Sequence, residues 1–199
     1  MTYQRDYSHI VYVLTRRSKE QGVIIVPDLL RVLDPFRLCS YNAVRLVILG
    51  QDPYKSNATG LAFSTEDGSL TPSLRVISSW LDYKDFNGNL TRWALQGVLL
   101  LNAVPTMETS VYPIPHRTLW ESFIRGCLSL CSSKTNVAFL LLGTVASDYS
   151  DSIDSDNNLV IKTEHPSYYA RLGIYEKKDI FDNINSYLST NNKGIINFL

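Results

Sequence analysis

Four apolar runs punctuate the chain without internal alternation: Arg45–Gly50, Val98–Leu101, Val137–Leu142 and Leu159–Thr163. Continuous aliphatic and β-branched runs of this length fit strands buried on both faces, as in parallel sheets. Between them the period changes to that of helices. Ser8–Lys19 sets Ile10, Val11 and Leu14 on one face, and Ser73–Tyr83 groups Leu74, Ile77 and Leu81 behind Pro72. Thr118–Cys131 turns Trp120, Phe123, Ile124 and Cys127 inward. Pro27-Asp28 predicts a short helix through Leu33, and Lys178–Leu188 the last long one. Asn87-Gly88-Asn89 reads as a turn and Asp151–Asn158 as a polar loop. Strands separated by helices imply an α/β fold whose parallel sheet is covered on both faces. With no internal repeat, residues 1–199 are expected to form one domain.

The ends of these runs carry the candidate chemistry. Gly50 and Pro53 force a turn straight after the first run, with Asp52 held between them. In open α/β sheets the carboxyl ends of the strands are where ligands bind. Asp52 therefore reads either as a carboxylate at the mouth of a site or as the N-cap of a following helix. The second run ends at Asn102, and His165-Pro166-Ser167 follows the fourth. An acid, an amide and an imidazole thus stand at three strand ends.

Taken with Gly60-Leu61-Ala62-Phe63-Ser64, this set resembles the uracil-DNA glycosylases, the branch that commonly excises uracil from DNA. The resemblance runs from Phe36-Arg37-Leu38 through Gln51-Asp52-Pro53-Tyr54, Pro72-Ser73-Leu74 and Trp93–Asn102 to His165-Pro166-Ser167, in order and near the family's spacing. It implies a three-layer α/β/α sandwich with a central four-stranded parallel sheet, which the pattern allows. It also implies hydrolysis of the N-glycosidic bond after base flipping, the first step of base excision repair.

That reaction makes the sugar cationic and the departing uracil anionic, so it needs a carboxylate on one side and a donor on the other. The resemblance gives Asp52 the first role, with a positioned water, and His165 the second, as a neutral imidazole donating to uracil O2. Tyr54 stands where the family excludes the thymine methyl. Asn102 is the side-chain amide able to read the uracil edge with one donor and one acceptor. Phe63 stacks on the base, and Gln51 lends a backbone N–H. Ser73 and Ser167 match phosphate-contacting positions, and Tyr169, or Tyr168 in the neighbouring frame, falls where a Leu usually wedges into the base stack. Arg171, Lys177 and Lys178 after His165, and Lys55 after Asp52, offer local positive charge to DNA or form an ordinary solvated face.

The chain also departs from the family. Lys55 replaces the His that usually follows the Tyr, and the stretch to Phe63 is two residues shorter. Tyr168-Tyr169 replaces Pro-Leu, and the family's Ser-His after the Asn strand aligns with Ile114-Pro115. The multi-proline loop is thinned to Thr71-Pro72-Ser73. These changes bear on the grip on DNA more than on the chemistry.

Composition adds bounds. Hydrophobic content of 45% with 19% charged residues fits a globular protein with a real core. A net charge of zero argues against gripping nucleic acid by bulk electrostatics and leaves local charge as the means. Cys39, Cys127 and Cys131 form no paired framework and no zinc spacing, so neither metal nor cofactor is expected. No targeting segment or membrane span is visible, which predicts an intracellular protein of nucleus or cytoplasm; the compact chain would suit a viral enzyme. The expected partner is uracil-containing DNA, the expected state a monomer, and an inhibitor or replication partner is not readable from residues. A competing reading is a DNA-binding replication accessory protein on the same fold. Retention of both Asp52 and His165 speaks against it. An unrelated nucleotide-binding α/β enzyme ranks last, because no Walker A or GxGxxG motif occurs.

Overall fold

The computed structural model describes residues 2–110 and 114–199, with side chains from Tyr7 onward. In chain order the elements are α1 Thr2–Gln21, β1 Ile24–Val26, α2 Asp34–Leu38, β2 Leu46–Gly50, α3 Pro72–Trp80, α4 Thr91–Ala94, β3 Val98–Asn102 and β4 Met107–Thr109. There follow α5 His116–Ser132, β5 Ala138–Leu142, α6 Thr144–Ser147, β6 Leu159–Thr163, α7 Pro166–Leu172 and α8 Ile180–Thr190. β2, β3, β5 and β6 form one parallel sheet in the order β3-β2-β5-β6.

The strands are apolar on both faces because both faces are covered. Leu46, Ile48, Leu100 and Leu140 point to one side, into a cluster with Leu74, Trp80, Trp93 and Phe181 from α3, α4 and α8. Val47, Leu49, Leu101 and Leu141 point to the other, against Ile10, Leu14, Trp120 and Ile124 from α1 and α5. This is the expected three-layer sandwich. β2, β3 and β5 are wholly buried, whereas β6, at the sheet's edge, is only partly so.

Two local expectations fail. Residues 27–33 form turns, and the helix comes after them, as α2. Asp28 accepts from the Leu30 N–H at 2.8 Å, an Asx turn that competes with helix. Pro35 fits only the first turn of a helix, so α2 starts beside it. A small antiparallel ribbon also pairs β1 with β4, Ile25 opposite Glu108. Three-residue strands are too short to leave a period in the sequence.

The register matters most for the site. Gly50 lies opposite Asn102, Leu49 opposite Leu141, and Leu142 opposite Thr163. All four carboxyl ends therefore finish in one row.

Candidate active site

The row of strand ends brings the sequence-derived residues together. Asp52 stands two residues beyond β2, Asn102 closes β3, and His165 stands two residues beyond β6. No helix follows Asp52 until α3, whose N-cap is Thr71, so Asp52 caps nothing and remains a carboxylate at the mouth. It is exposed, yet partial desolvation raises its pKa against the opposing hydrogen bonds of Gln51 and its own backbone. Gln51 itself accepts from the Val104 N–H at 2.8 Å through its carbonyl, which joins the Asp52 turn to the segment after Asn102.

Two glycines let the walls close in. A Cβ on Gly50 would sit 2.9 Å from the Phe63 ring and 3.0 Å from Asn102 Oδ1. A Cβ on Gly143, at φ +95°, would sit 2.9 Å from the Cβ of His165. Bare backbone at these strand ends thus allows an aromatic ring, an amide and an imidazole to crowd one spot. Gly143 was not singled out from the sequence; its place at the end of an apolar run was the available signal.

Phe63 holds a positive φ of 63°. An aromatic residue in the left-handed region is a strained arrangement of the kind that clusters at functional sites. Its neighbours hold it there. The Ala62 N–H donates to Leu100 O at 3.2 Å, and Ser64 Oγ, almost fully buried, accepts from the Leu90 N–H at 3.0 Å. The Phe63 and His165 rings lie 5.5 Å apart, tilted by 34°. Asn102 is 5% exposed, and its amide makes no hydrogen bond among the described residues. Neither atom of that amide is sealed from solvent, so its edge is open at the mouth, where water or a ligand can satisfy it.

His165 is the N-cap of α7. Its Nδ1 accepts from the Ser167 N–H at 3.2 Å and lies 2.9 Å from Ser167 Oγ. A nitrogen that accepts from a backbone N–H carries no proton, so in the neutral ring the proton sits on Nε2. Burial lowers the His165 pKa, and Arg171 lowers it further, which favours the neutral ring. The capping position of His165 thus sets its tautomer.

Tyr54 is held by its hydroxyl, 2.8 Å from Thr71 Oγ1, and burial pushes its pKa up to about 12. Thr71 also accepts from the Leu74 N–H at 3.2 Å, so one side chain fixes both the Tyr54 wall and the start of α3.

The DNA-contact expectations are redistributed. Tyr169 does not project. Its hydroxyl lies 3.1 Å from Thr163 Oγ1, its ring meets Trp80 edge-on, and Lys178 Nζ sits 3.8 Å from the ring centroid. Lys178 leads in holding its phenol below the usual range, although burial opposes this. The reason is helical period: 166–172 is α7, so Pro166, Tyr169 and Ala170 face inward while Tyr168, Arg171 and Leu172 face out. Tyr168 is 42% exposed on the outer face of α7. Ser73 is 6% exposed at the start of α3, and Ser167 is half-buried beside His165.

His116 was passed over in the sequence, next to the pair aligned with the family's Ser-His. It begins α5, 7% exposed, with Nδ1 2.8 Å from Thr106 Oγ1. Trp120 Nε1 donates to the same hydroxyl at 2.7 Å. Glu108, its side chain fully buried, pairs with Arg17 through Nε at 3.1 Å and lies 3.5 Å from His116 Nε2. Burial alone would raise the Glu108 carboxyl, but Arg17, the Ile114 N–H and His116 together hold it below the ordinary value.

A family model described as the uracil DNA glycosylase superfamily matches residues 36–189. The chain is 33% identical over 207 aligned residues to uracil-DNA glycosylase 2 of Bacteroides fragilis, covering 98% of this chain and 93% of the relative. It is likewise 33% identical to the uracil-DNA glycosylase of Borreliella burgdorferi, covering 98% and 92%. Among solved structures, mimivirus uracil-DNA glycosylase superposes with a TM-score of 0.78 at 23% identity, over 96% of this chain and 85% of that one. A mimivirus UNG variant in complex with UGI gives 0.79 at 20% identity, over 96% and 81%. At these identities the structural likeness concerns the fold.

Proposed function

The chain belongs to the uracil DNA glycosylase superfamily and hydrolyses the N-glycosidic bond of uracil in DNA, the opening step of base excision repair, and we propose that Asp52 and His165 carry the cleavage. The observation that carries this assignment is the Asn102 amide, nearly buried and unpartnered, in the same row of strand ends as the Asp52 carboxylate and the His165 imidazole.

A flipped uracil between Phe63 and the strand ends would satisfy that amide. Asn102 offers a donor to O4 and an acceptor to N3–H, a pattern that cytosine inverts. Tyr54, pinned by Thr71, forms the wall that a thymine methyl would strike. As the bond between the sugar carbon and the base breaks, its electron pair leaves with uracil. The Nε2–H of His165 donates to the oxygen that gains charge, and the neutral ring does so without giving up its proton. Water adds to the sugar carbon on the opposite side, where Asp52 orients it and accepts its proton. The carboxylate's own charge also offsets the cation developing on the sugar.

Ser167 has a double use in this scheme. Its amide and hydroxyl share the lone pair of Nδ1. A DNA phosphate can draw away the hydroxyl while the amide keeps the tautomer fixed. Arg171 lies on the outer face of α7 with Tyr168, where a cation meets the backbone and an aromatic ring fills the vacated stack. The wedge assigned by position to Tyr169 therefore passes to Tyr168. The complex of a fold neighbour with UGI supports UGI as a partner of this chain too, read as loss of excision on titration with UGI.

The deciding experiment is single-turnover excision on a uracil oligonucleotide with a chelator present. Wild type should release uracil. Asn102→Asp should lose uracil and gain cytosine, because the altered edge matches the other base; an unpaired polar edge in such a site costs about 10⁴–10⁵ in selectivity. Unchanged selectivity in this variant would remove Asn102 from base reading.

A further inference from the structure

Both helices that start at the mouth also run away from it side by side. α3 begins at Pro72, just after the Thr71–Tyr54 contact, and α7 begins beside His165. They pack against each other. Where they end, a groove of about 320 Å³ opens between α3 and the segment after α7. Arg75, Lys84 and Lys177 line it with Tyr83 and Tyr175, and Asp82 is its one acidic residue. Arg75 and Lys84 have no carboxylate partner among the described residues, and Lys177 shares only a loose, exposed pair with Asp182 at 3.7 Å. Along the lining itself the three cations face Asp82 alone, with Asp85 and Glu176 exposed beside Lys84 and Lys177. Tyr175 is 46% exposed, so it has an open ring face to offer.

The turn that forms the groove is built. Ser78 Oγ donates to Tyr83 O at 2.6 Å, the Tyr83 N–H returns to Ser78 O at 3.2 Å, and Asp82 takes a φ of 52° to close the loop. Tyr83 packs against the α3-side core while its neighbour Lys84 stays exposed. The groove is thus a fixed feature, with cations spaced along its edge.

We propose that this groove is a second DNA-strand site, holding the phosphodiester backbone on one side of the excised nucleotide, with Tyr83 and Tyr175 as platforms for unstacked bases. The proposal rests on the glycosylase reading above and extends it beyond the flipped base. Combined cations and aromatic faces are what single strands require, since phosphates and base faces are independent of sequence. Position sets the range. At 1.5 Å per helical residue, the groove lies from about 5 to 14 Å beyond the start of α3, from Arg75 to the helix end. At a strand spacing of 3.4 Å per nucleotide, that corresponds to about two to four nucleotides from the uracil.

The test compares a trinucleotide with central uracil and a single strand of roughly 20 nucleotides, long enough to reach the groove by the same spacing. Arg75→Ala/Lys84→Ala/Lys177→Ala should raise KM on the long strand about tenfold and lower the slope of log KM against log salt by about two to three, one for each phosphate no longer neutralised. Its kcat, and its kcat/KM on the trinucleotide, should stay at the wild-type level. Tyr83→Ala/Tyr175→Ala should raise KM on the long strand at least about fivefold with the salt slope unchanged, because stacking is removed and charge is kept. Wild-type KM and salt slope in the triple variant, or an equal loss on both lengths, would overturn the groove. Should the wild-type protein excise uracil from neither substrate, the glycosylase reading falls instead. The affinity of the same variants for a uracil-free strand then still decides the groove, with wild-type affinity overturning it.

Discussion

Two histidines in this molecule share a pKa lowered by burial and differ in what surrounds them. His116 and His165 both have pKa values lowered first by burial, and in each Nδ1 is held by a neighbour. At His116, Thr106 Oγ1 accepts from Trp120 and lies 2.8 Å from Nδ1. Nε2 lies 3.5 Å from the buried Glu108, itself paired with Arg17, and is shut off from solvent without a hydrogen-bond partner among the described residues. At His165, Ser167 fixes Nδ1, but no protein group among the described residues takes up Nε2. The ring stands instead beside Phe63 and against Gly143, at the row of strand ends. A perturbed pKa alone does not tell a catalytic histidine from a structural one. A donor whose tautomer is fixed and whose outer face is left open does.

The sharpest test of this contrast is catalytic. His165→Leu should cut the single-turnover rate by about 10²–10³, the usual loss for one preorganised donor, with little change in Tm. Asp52→Asn should fall comparably while DNA binding survives in a filter or anisotropy assay. A near-normal rate in both variants would place the chemistry elsewhere.

Gly143→Ala probes the same corner through backbone. The new methyl must displace His165, and a misplacement of about 1 Å is worth up to about 10²-fold in rate. The φ of 95° with ψ of 169°, a region essentially confined to glycine, adds about 1–3 kcal/mol of instability, visible as a lower Tm. Full activity at normal stability would show that His165 has slack.

His116→Ala should behave in the opposite way. It strips the partner from the Thr106 hydroxyl and leaves the Glu108 network incomplete, costing about 1–3 kcal/mol in denaturant unfolding. Its kcat should stay within a few-fold of wild type. A large loss of kcat at unchanged stability would make the two histidines functionally alike.

The pH profile distinguishes the corners more gently. In the proposed cleavage Asp52 serves as a carboxylate, so its raised pKa moves the loss of activity above the ordinary acid range. His165 serves there as a neutral ring, so its lowered pKa moves the loss below 6.5. Both limits lie on the acid side, and kcat should rise with pH to a plateau with no falling limb from these two groups through neutral pH. A bell centred near neutrality would contradict the neutral-histidine assignment.

The smallest effect concerns the paired tyrosines. Tyr168→Ala should lower excision from duplex DNA more than from single strands, since only the duplex loses a stack, at about 1–3 kcal/mol of base stacking. Tyr169→Phe should leave both substrates nearly unaffected and shift stability by about 1 kcal/mol or less, the net worth of its single hydroxyl bond to Thr163. The reverse ranking would restore Tyr169 as the wedge.

What could be read from the residues was local and strongly patterned. Apolar runs marked all four strands, three of them buried on both faces and β6 partly so, and their polar ends marked Asp52, Asn102 and His165. Pro53 and Gly50 gave the turn that presents Asp52. Other features depend on partners far away in sequence, which no local pattern encodes. Burial of Ser73 comes from the packing of α3. The inward turn of Tyr169 comes from the helical period of α7, with Trp80 and Lys178 placed to receive it. The role of Gly143 exists only because β5 and β6 are neighbours, and that of His116 only because Arg17 and Glu108 meet across 91 residues. The sequence by itself determined which residue types stand at the strand ends, because hydrophobic burial is written residue by residue along a strand. The tertiary structure decided which of their atoms are left free to act, because a tautomer, an open donor or an unpartnered amide is set by neighbours that only the folded chain brings together.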